Sequence, residues 1–225
     1  MTFPFMPNIS GTRSLDTVWG ISISGLNGAS IATPSTVRAG DLMILFDGPS
    51  FSATTGISGP VPTGFTNISA GPTSGWTNGI IMSAKIATSS DASTLLTGAN
   101  GTASNAKMLA VFRGNAPIRS FTVGSIASNA TNLDPPGQTV SSAGIIGPAI
   151  LACCGSSGTN VANAWQGYPT QYTYPAFNTY NSSIVTRMVT GFSVVNKDQS
   201  PYNQVIDLQD YGSGMMMRGA WISLT

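Results

Sequence analysis

Residues 38–49 read Arg-Ala-Gly-Asp-Leu-Met-Ile-Leu-Phe-Asp-Gly-Pro, with five consecutive apolar residues between a Gly-Asp turn and an Asp-Gly-Pro turn. An apolar run of this length between turn residues is typical of a strand that is buried on both faces, because a buried helix needs about ten residues or more. Residues 107–114 and 147–155 have the same design. The three stretches therefore predict three short core strands.

Further strands are predicted at residues 19–23, 80–86, 183–189 and 216–222. Residues 19–23 alternate between apolar and polar, as a half-buried strand does. The stretch 91–105 is rich in Ser, Thr, Gly and Asn and is predicted to be a loop. We expect an all-β fold, a two-sheet antiparallel β-sandwich that is jelly-roll-like.

The second half of the chain repeats the order of parts found in the first. The corresponding segments are 41–46 and 147–152, 61–66 and 168–173, 80–86 and 183–189, and, more loosely, 108–112 and 216–222. Each unit alone is too small to bury a face, so two units are expected to stack. The sequence thus predicts one domain over residues 16–225, built from related halves at 30–115 and 138–225.

Charged side chains are rare in this chain. They make up 8% of the 225 residues, glutamate is absent, and the formal net charge is +1. A protein that binds nucleic acid needs a basic stripe to displace counterions, and nine scattered cations provide none. The longest apolar stretch, 145–154, is about half of the ~20 residues that a membrane-spanning helix needs. Nucleic-acid and membrane partners are therefore not expected.

The sequence offers little that would support catalysis. Histidine is absent, which excludes a Ser-His-Asp or Cys-His site within the chain. Asp207 and Asp210 are the only close pair of carboxylates; we expect turn or N-cap roles for them, with a contribution to Ca²⁺ binding as the other option. Ser83 and Lys85 share a strand face, where we expect a solvent-facing hydroxyl beside a surface cation. We therefore expect no enzyme, no cofactor and no metal site.

The two cysteines are adjacent, at Cys153 and Cys154. Successive side chains of a strand point to opposite faces, so a disulfide between them would need strained geometry. We expect two reduced cysteines that act as small core residues.

Residues 1–15 are interpreted as an N-terminal arm. Pro4 and Pro7 disfavour both a helix and pairing within a central strand, and Phe3, Phe5 and Met6 are apolar. An apolar segment that cannot pair in a sheet usually packs on another surface. Two alternatives are open: the arm covers its own domain, or it docks on a neighbouring subunit.

A second apolar segment lies between Asp134 and Arg187, where the chain has no charged residue. It contains six aromatic residues of interest: Trp165, Tyr168, Tyr172, Tyr174, Phe177 and Tyr180. Aromatic side chains at this density are costly to leave in water. They are expected to form a lid on the sandwich, an interface between subunits, or a platform for a sugar or receptor.

Four short motifs together resemble a β-sandwich domain of tailed-phage virion proteins and of some bacterial surface proteins. The motifs are the Ala-Gly-Asp-Leu start of a strand at 39–42, the Pro-x-Gly-aromatic-Thr turn at 62–66, the lysine-containing strand at 80–86, and the Val-Phe-Arg-Gly strand end at 111–114. The resemblance covers residues 30–225, more clearly in the first half, with Phe65 where tryptophan is expected. It implies a fold and a setting, and it transfers no site residues.

The expected function is that of a non-enzymatic virion structural protein of a tailed bacteriophage. Capsid decoration, or a head or tail fibre or spike component, fits a low-charge surface, and assembly in the host cytoplasm fits the lack of a recognisable secretory signal. The expected partners are other virion proteins and further copies of this chain, with a trimer as one option. The alternative is an adhesin at the tail tip that binds a receptor or a host surface glycan.

Overall fold

The fold is that of a computed structural model, which describes residues 14–27, 30–48, 61–69, 80–97, 106–131, 137–157, 164–165, 176–182, 186–206, 208–209 and 215–225. Within these residues the regular structure is entirely β, without a helix. The strands form two five-stranded antiparallel sheets and three short two-stranded ribbons. This confirms the predicted all-β sandwich class.

The first sheet is built from the first half of the chain. Its strands are β1 (Val18–Asn27), β3 (Leu42–Gly48), β4 (Thr66–Asn67), β5 (Ile81–Ile86) and β7 (Ala106–Gly114). They lie in the order β1-β7-β3-β5-β4. A short ribbon joins β2 (Ser30–Ala32) to β6 (Leu95–Thr97). Strand β6 lies inside the stretch 91–105 that was predicted to be a loop, so that prediction was wrong at these three residues.

The second sheet is built from the second half of the chain. Its strands are β8 (Phe121–Thr131), β10 (Ala149–Ser157), β12 (Ala176–Ser182), β13 (Thr186–Val195) and β16 (Met215–Leu224). They lie in the order β12-β13-β10-β16-β8. Two ribbons accompany the sheet: β9 (Gln138–Val140) pairs with β14 (Gln204–Ile206), and β11 (Ala164–Trp165) pairs with β15 (Leu208–Gln209).

The main core fills the space between the two sheets. Alternate residues of the central strands point into it, namely Leu42, Ile44 and Phe46 from β3 and Ile150, Ala152 and Cys154 from β10. Phe192 from β13 packs edge-on against both Phe46 and Phe112, with ring centroids 5.6 and 5.2 Å apart. This layer is the shared hydrophobic core of the sandwich.

The outer face of each sheet is buried as well, under a cover made of ribbons and turns. On the first sheet Met43 and Leu45 lie beneath Ile31, Phe65 and Leu96. On the second sheet the outer-facing Leu151, Cys153 and Trp221 lie beneath Val140 and Ile206 of the β9–β14 ribbon. Strands buried on both faces read as continuous apolar runs, which explains why residues 42–46 and 149–154 do not alternate.

Both long outer strands are bulged. The pairing of β1 with β7 shifts between Gly20 and Ser22, and that of β8 with β16 shifts opposite Trp221. Strands β1 and β8 are edge strands of their sheets. A bulge twists an edge strand and reduces its capacity to pair with another sheet.

Candidate interaction surface

The residues predicted to make contacts are only partly covered by the structure. Phe3, Phe5, Met6, Tyr168, Tyr172 and Tyr174 lie outside the described residues. Trp165 is placed on β11, and Phe177 and Tyr180 are placed on β12, but the structure describes only their backbone. The lid, interface and platform alternatives for these aromatic residues therefore stay predictions. Asp207 and Asp210 also lie outside the described residues.

Two of the four motifs behind the family resemblance meet in one ion pair. Arg113, near the end of β7, donates from Nε to Asp41 Oδ1 at 2.8 Å and from Nη2 to Asp41 Oδ2 at 2.7 Å. The same Nη2 donates to the carbonyl of Thr36 at 2.8 Å, and the backbone N–H of Arg38 donates to Asp41 at 2.8 Å. A two-pronged guanidinium–carboxylate contact is among the strongest hydrogen-bonded pairs. This pair fastens the turn at 36–41 to the first sheet.

The other two motifs meet beside a second ion pair, where Lys85 crosses Gly64. Lys85 of β5 contacts Asp91 at 2.6 Å, and Asp91 also accepts hydrogen bonds from the backbone N–H and hydroxyl of Thr88. The lysine stem runs across Gly64, whose φ is +81° and where a Cβ would lie 3.1 Å from Lys85 Cε. A positive φ favours glycine. The turn at 62–66 thus needs glycine both for its backbone and for the passage of Lys85.

A third ion pair is fully enclosed. Lys107 of β7 and Asp47 of β3 are register partners on the outer face of the first sheet, with Lys107 Nζ 3.0 Å from Asp47 Oδ1. Their side chains are 0% and 2% exposed. Two charges removed from water are tolerated only when they are paired, because desolvation of each costs several kcal/mol.

The fourth ion pair lies at the base, our name for the end of both sheets at which β3 and β10 begin. Lys197 contacts Asp16 at 2.8 Å. The Asn115 side chain accepts from the N–H groups of Asp16 and Thr17 and donates to the carbonyl of Ser14, and Asn196 accepts from Val18 N–H. Residues 14–18 are thereby attached to both sheets.

The electrostatics follow from these contacts. Burial on its own would raise the pKa of Asp91, but the hydrogen bonds from Lys85 and Thr88 outweigh it and hold the pKa below its ordinary value. The hydrogen bond to Asp41 raises the pKa of Arg113. The hydrogen bond between Lys197 and Asp16 lowers the pKa of the carboxyl and raises that of the ammonium. The pair of Lys197 and Asp16 therefore stays ionised over a wider pH range than its separated groups would.

Two predictions about single side chains can be compared with the structure. Ser83 is 1% exposed, so the expected solvent-facing hydroxyl was wrong, because the cover of the first sheet lies over this strand. The cysteines agree with expectation: both are free and buried, with Cys154 in the core between the sheets and Cys153 on the outer face. Burial raises the pKa of both thiols, which keeps them in the unreactive thiol form.

Open grooves lie on two parts of the surface. One, of about 550 Å³, lies on the cover of the first sheet beside Lys85, Asp91 and the exposed Leu95. Two others lie at the base and share Gly147, Leu224 and Thr225; their volumes are about 420 and 500 Å³. Four large hydrophobic side chains are exposed among the described residues: Ile146, Leu95, Val205 and Trp19.

In the described part of the chain, no group of three or more Cys, His, Asp or Glu side chains is placed to hold a metal ion. No helix there is long and apolar enough to cross a membrane. Comparison with models of protein families, with curated proteins and with solved structures found no match to this chain.

Proposed function

We propose that this chain is a non-enzymatic structural protein of a tailed-phage particle. It would decorate the capsid or form part of a head or tail fibre or spike, in contact with other virion proteins and with further copies of itself. Its contacts would be low in charge and would depend on shape and on buried apolar area.

The observation that carries the proposal is how the few charges are used. Four of the eight aspartates and four of the nine cations form ion pairs with each other. Asp41, Asp47 and Asp91 are buried. Paired charges largely cancel each other's field, so the surface attracts a charged partner less than the 8% composition indicates.

A surface of this kind suits a permanent contact. Apolar area contributes about 25 cal/mol per Å² when it is removed from water, and an uncharged face avoids the cost of desolvating ions. Single exposed hydrophobic side chains are common on soluble proteins, so Leu95 and Val205 add little support by themselves. The support comes from the internal pairing of charge together with the sandwich fold.

Quantitative mass spectrometry of purified particles from cells that produce this protein tests the proposal. We expect the chain in the particle, at many copies if it decorates the capsid and at a few copies if it belongs to the tail. We also expect it to be retained when the salt concentration is raised, because uncharged contacts are not screened. Absence from particles would refute the proposal.

A second candidate is the tail-tip adhesin, favoured by the aromatic residues between 165 and 180. If these residues stack on sugar rings, Trp165→Ala abolishes binding on a glycan array and Trp19→Ala, at a separate exposed tryptophan, does not. No binding of the unaltered protein to glycans or host cells would refute this candidate.

A further inference from the structure

The two grooves at the base adjoin each other and are together called here the base groove. Its first part is lined by Ser14, Leu15 and Pro117 together with the cations Arg119 and Lys197. Its second part lies between the start of β8 and the turn at 143–147. The shared residues Gly147, Leu224 and Thr225 join the two parts.

The second part of the base groove is lined by uncharged side chains alone, among them Val123, Ile145 and Leu224. Ile146 stands at this part and is 77% exposed, the highest value among the exposed large hydrophobic side chains in the described chain. Its turn is held by several hydrogen bonds, among them Ile146 N–H to Ser223 Oγ at 3.3 Å and Ser142 N–H to Asn203 Oδ1 at 3.0 Å. An isoleucine side chain as exposed as this gains from a partner that removes it from water.

The root of the N-terminal arm lies at the mouth of the base groove. Ser14 and Leu15 line the first part, and residues 14–18 are fixed by the hydrogen bonds of Asn115 and Asn196. The chain before Ser14 therefore starts from a fixed point beside the groove.

The composition of the arm matches the uncharged part of the groove. Residues 1–12 have no charged side chain and include Phe3, Phe5, Met6 and Ile9. Arg13, the charged residue nearest to them, adjoins the root and lies outside this uncharged segment. Pro4 and Pro7 favour an extended segment that binds through side chains and does not extend a sheet.

We propose that residues 1–12 bind in the base groove of their own chain, with the apolar side chains of the arm against Ile146 and its neighbours. An extended chain advances about 3.1 Å per residue, so Phe5 reaches up to roughly 28 Å from Ser14. Attachment at Ser14 gives the arm an effective concentration of about the millimolar range. The chain's own arm therefore outcompetes the arm of a separate copy in dilute solution. The inference does not depend on the proposed function.

Cysteine labelling tests this placement. Ile146→Cys introduces an accessible thiol at the groove, while Cys153 and Cys154 are fully buried and stay unlabelled. The maleimide reaction rate of Ile146→Cys is compared in the full chain and in a chain without residues 1–12. Leu95→Cys, at a residue 66% exposed on the cover of the first sheet, is the matched control.

We expect the Ile146→Cys thiol to react about tenfold more slowly in the full chain, which corresponds to a free energy of ~1.4 kcal/mol for arm binding. The Leu95→Cys rate should be the same in both chains. In the full chain, Phe3→Ser, Phe5→Ser and Met6→Ser combined should abolish the protection of Ile146→Cys, whereas Thr2→Ser with Asn8→Ser should retain it. Circular dichroism checks that every variant is folded.

Two results would overturn the proposal. Equal labelling rates of Ile146→Cys with and without the arm would show that the arm does not cover the groove. Protection that increases with protein concentration would show that the groove takes the arm of a second copy.

Discussion

The two sheets of the sandwich have the same strand order, and apolar packing covers the outer face of both. Ion pairs are added to this packing on the first sheet. The order β1-β7-β3-β5-β4 in the first sheet corresponds to β8-β16-β10-β13-β12 in the second. The covering ribbons correspond too, β2–β6 on the first sheet and β9–β14 on the second. This shared order favours two related halves, which stays a prediction.

The pairing of the central strands shows which residues of the two sheets are equivalent. Leu42 and Ile150 are the first inward-facing residues of the two central strands, and their register partners are Phe112 and Ile222. Counting from them, the buried pair Asp47 and Lys107 corresponds to Gly155 and Met217, which are register partners in the second sheet.

The ion pair at the base is replaced in the same way. Asp41 and Arg113 adjoin Leu42 and Phe112, and the corresponding residues of the second sheet are Ala149 and Ser223. Where Arg113 in the first sheet makes two contacts to a carboxylate, Ser223 at the corresponding position of the second sheet accepts one neutral hydrogen bond from Ile146 N–H.

A sandwich can therefore keep its two layers while the contacts that attach its covering turns differ. Met217 and Trp221 fill the outer face of the second sheet by volume, and such contacts tolerate small shifts of the cover. An ion pair requires one geometry, because a buried charge without its partner is costly. The first cover should therefore be the more sensitive to single substitutions.

The largest effect is expected at the enclosed pair. Lys107→Met introduces methionine, the residue type found at the corresponding position 217 of the second sheet. It leaves the Asp47 carboxylate buried without the Lys107 ammonium. We expect a loss of about 3–5 kcal/mol in the free energy of unfolding, measured by urea titration at neutral pH.

The double variant Asp47→Ala with Lys107→Met is the control, because it removes both charges. It should recover a large part of the loss, since an apolar pair is often as stable as a buried ion pair. A double variant that is less stable than Lys107→Met alone would show that the charges are not the source of the effect.

The next largest effect on stability is expected at the ion pair between Arg113 and Asp41 at the base. Arg113→Ser introduces serine, the residue type found at the corresponding position 223 of the second sheet. It removes three hydrogen bonds to Asp41 and Thr36. We expect a loss of about 2–3 kcal/mol, measured by the same titration. Ser223→Ala, the matched change in the second sheet, should cost about 1 kcal/mol or less. Equal losses for the two variants would contradict the difference between the sheets.

A smaller, pH-dependent effect is expected at Asp91. Its folded-state pKa is below the ordinary value, so its stabilisation is present above about pH 3.9 and is lost as the pH falls through the lower, folded pKa. Asp91→Asn should cost about 1–3 kcal/mol at neutral pH and should flatten the fall in stability on acidification. Asp16→Asn, at an exposed pair with the same direction of shift, should change the acid profile less. The check is the urea midpoint as a function of pH.

Much of the architecture could be predicted from the sequence because strands buried on both faces leave continuous apolar runs. Strands β3, β7 and β10 were found in this way. Strand β6 was missed because its three residues, Leu95–Thr97, lie among turn-forming residues and pair with only three others. The register between the halves was also out of reach: the sequence matched Asp41 with Gly147, whereas the ladders match it with Ala149. A pattern of period two cannot separate registers that differ by two residues.

The contacts that attach the covering turns could not be predicted, although the motifs that contain their residues had been recognised. The motifs at 39–42 and 111–114 were recognised as structural, but nothing in either indicates that Arg113 reaches Asp41, which lies 72 positions away. Likewise Ser83 was expected at the surface, because alternation assigns a face to a residue and does not show what covers that face. Long-range contacts of this kind depend on the paths of the covering turns.

The smallest effect separates backbone strain from contact at two glycines. Gly64 and Gly144 both have a positive φ, of +81° and +76°, but a Cβ at Gly64 would lie 3.1 Å from Lys85 Cε while a Cβ at Gly144 has nothing within 4 Å. Gly144→Ala should therefore cost only the left-handed backbone conformation, about 1 kcal/mol. Gly64→Ala should cost more, because Lys85 must also move and its contact with Asp91 is weakened. If the ion pair causes this larger cost, Gly64→Ala and Gly144→Ala should cost the same in a chain that carries Lys85→Met. If Gly64→Ala still costs more in that chain, crowding by the side-chain stem is the cause instead.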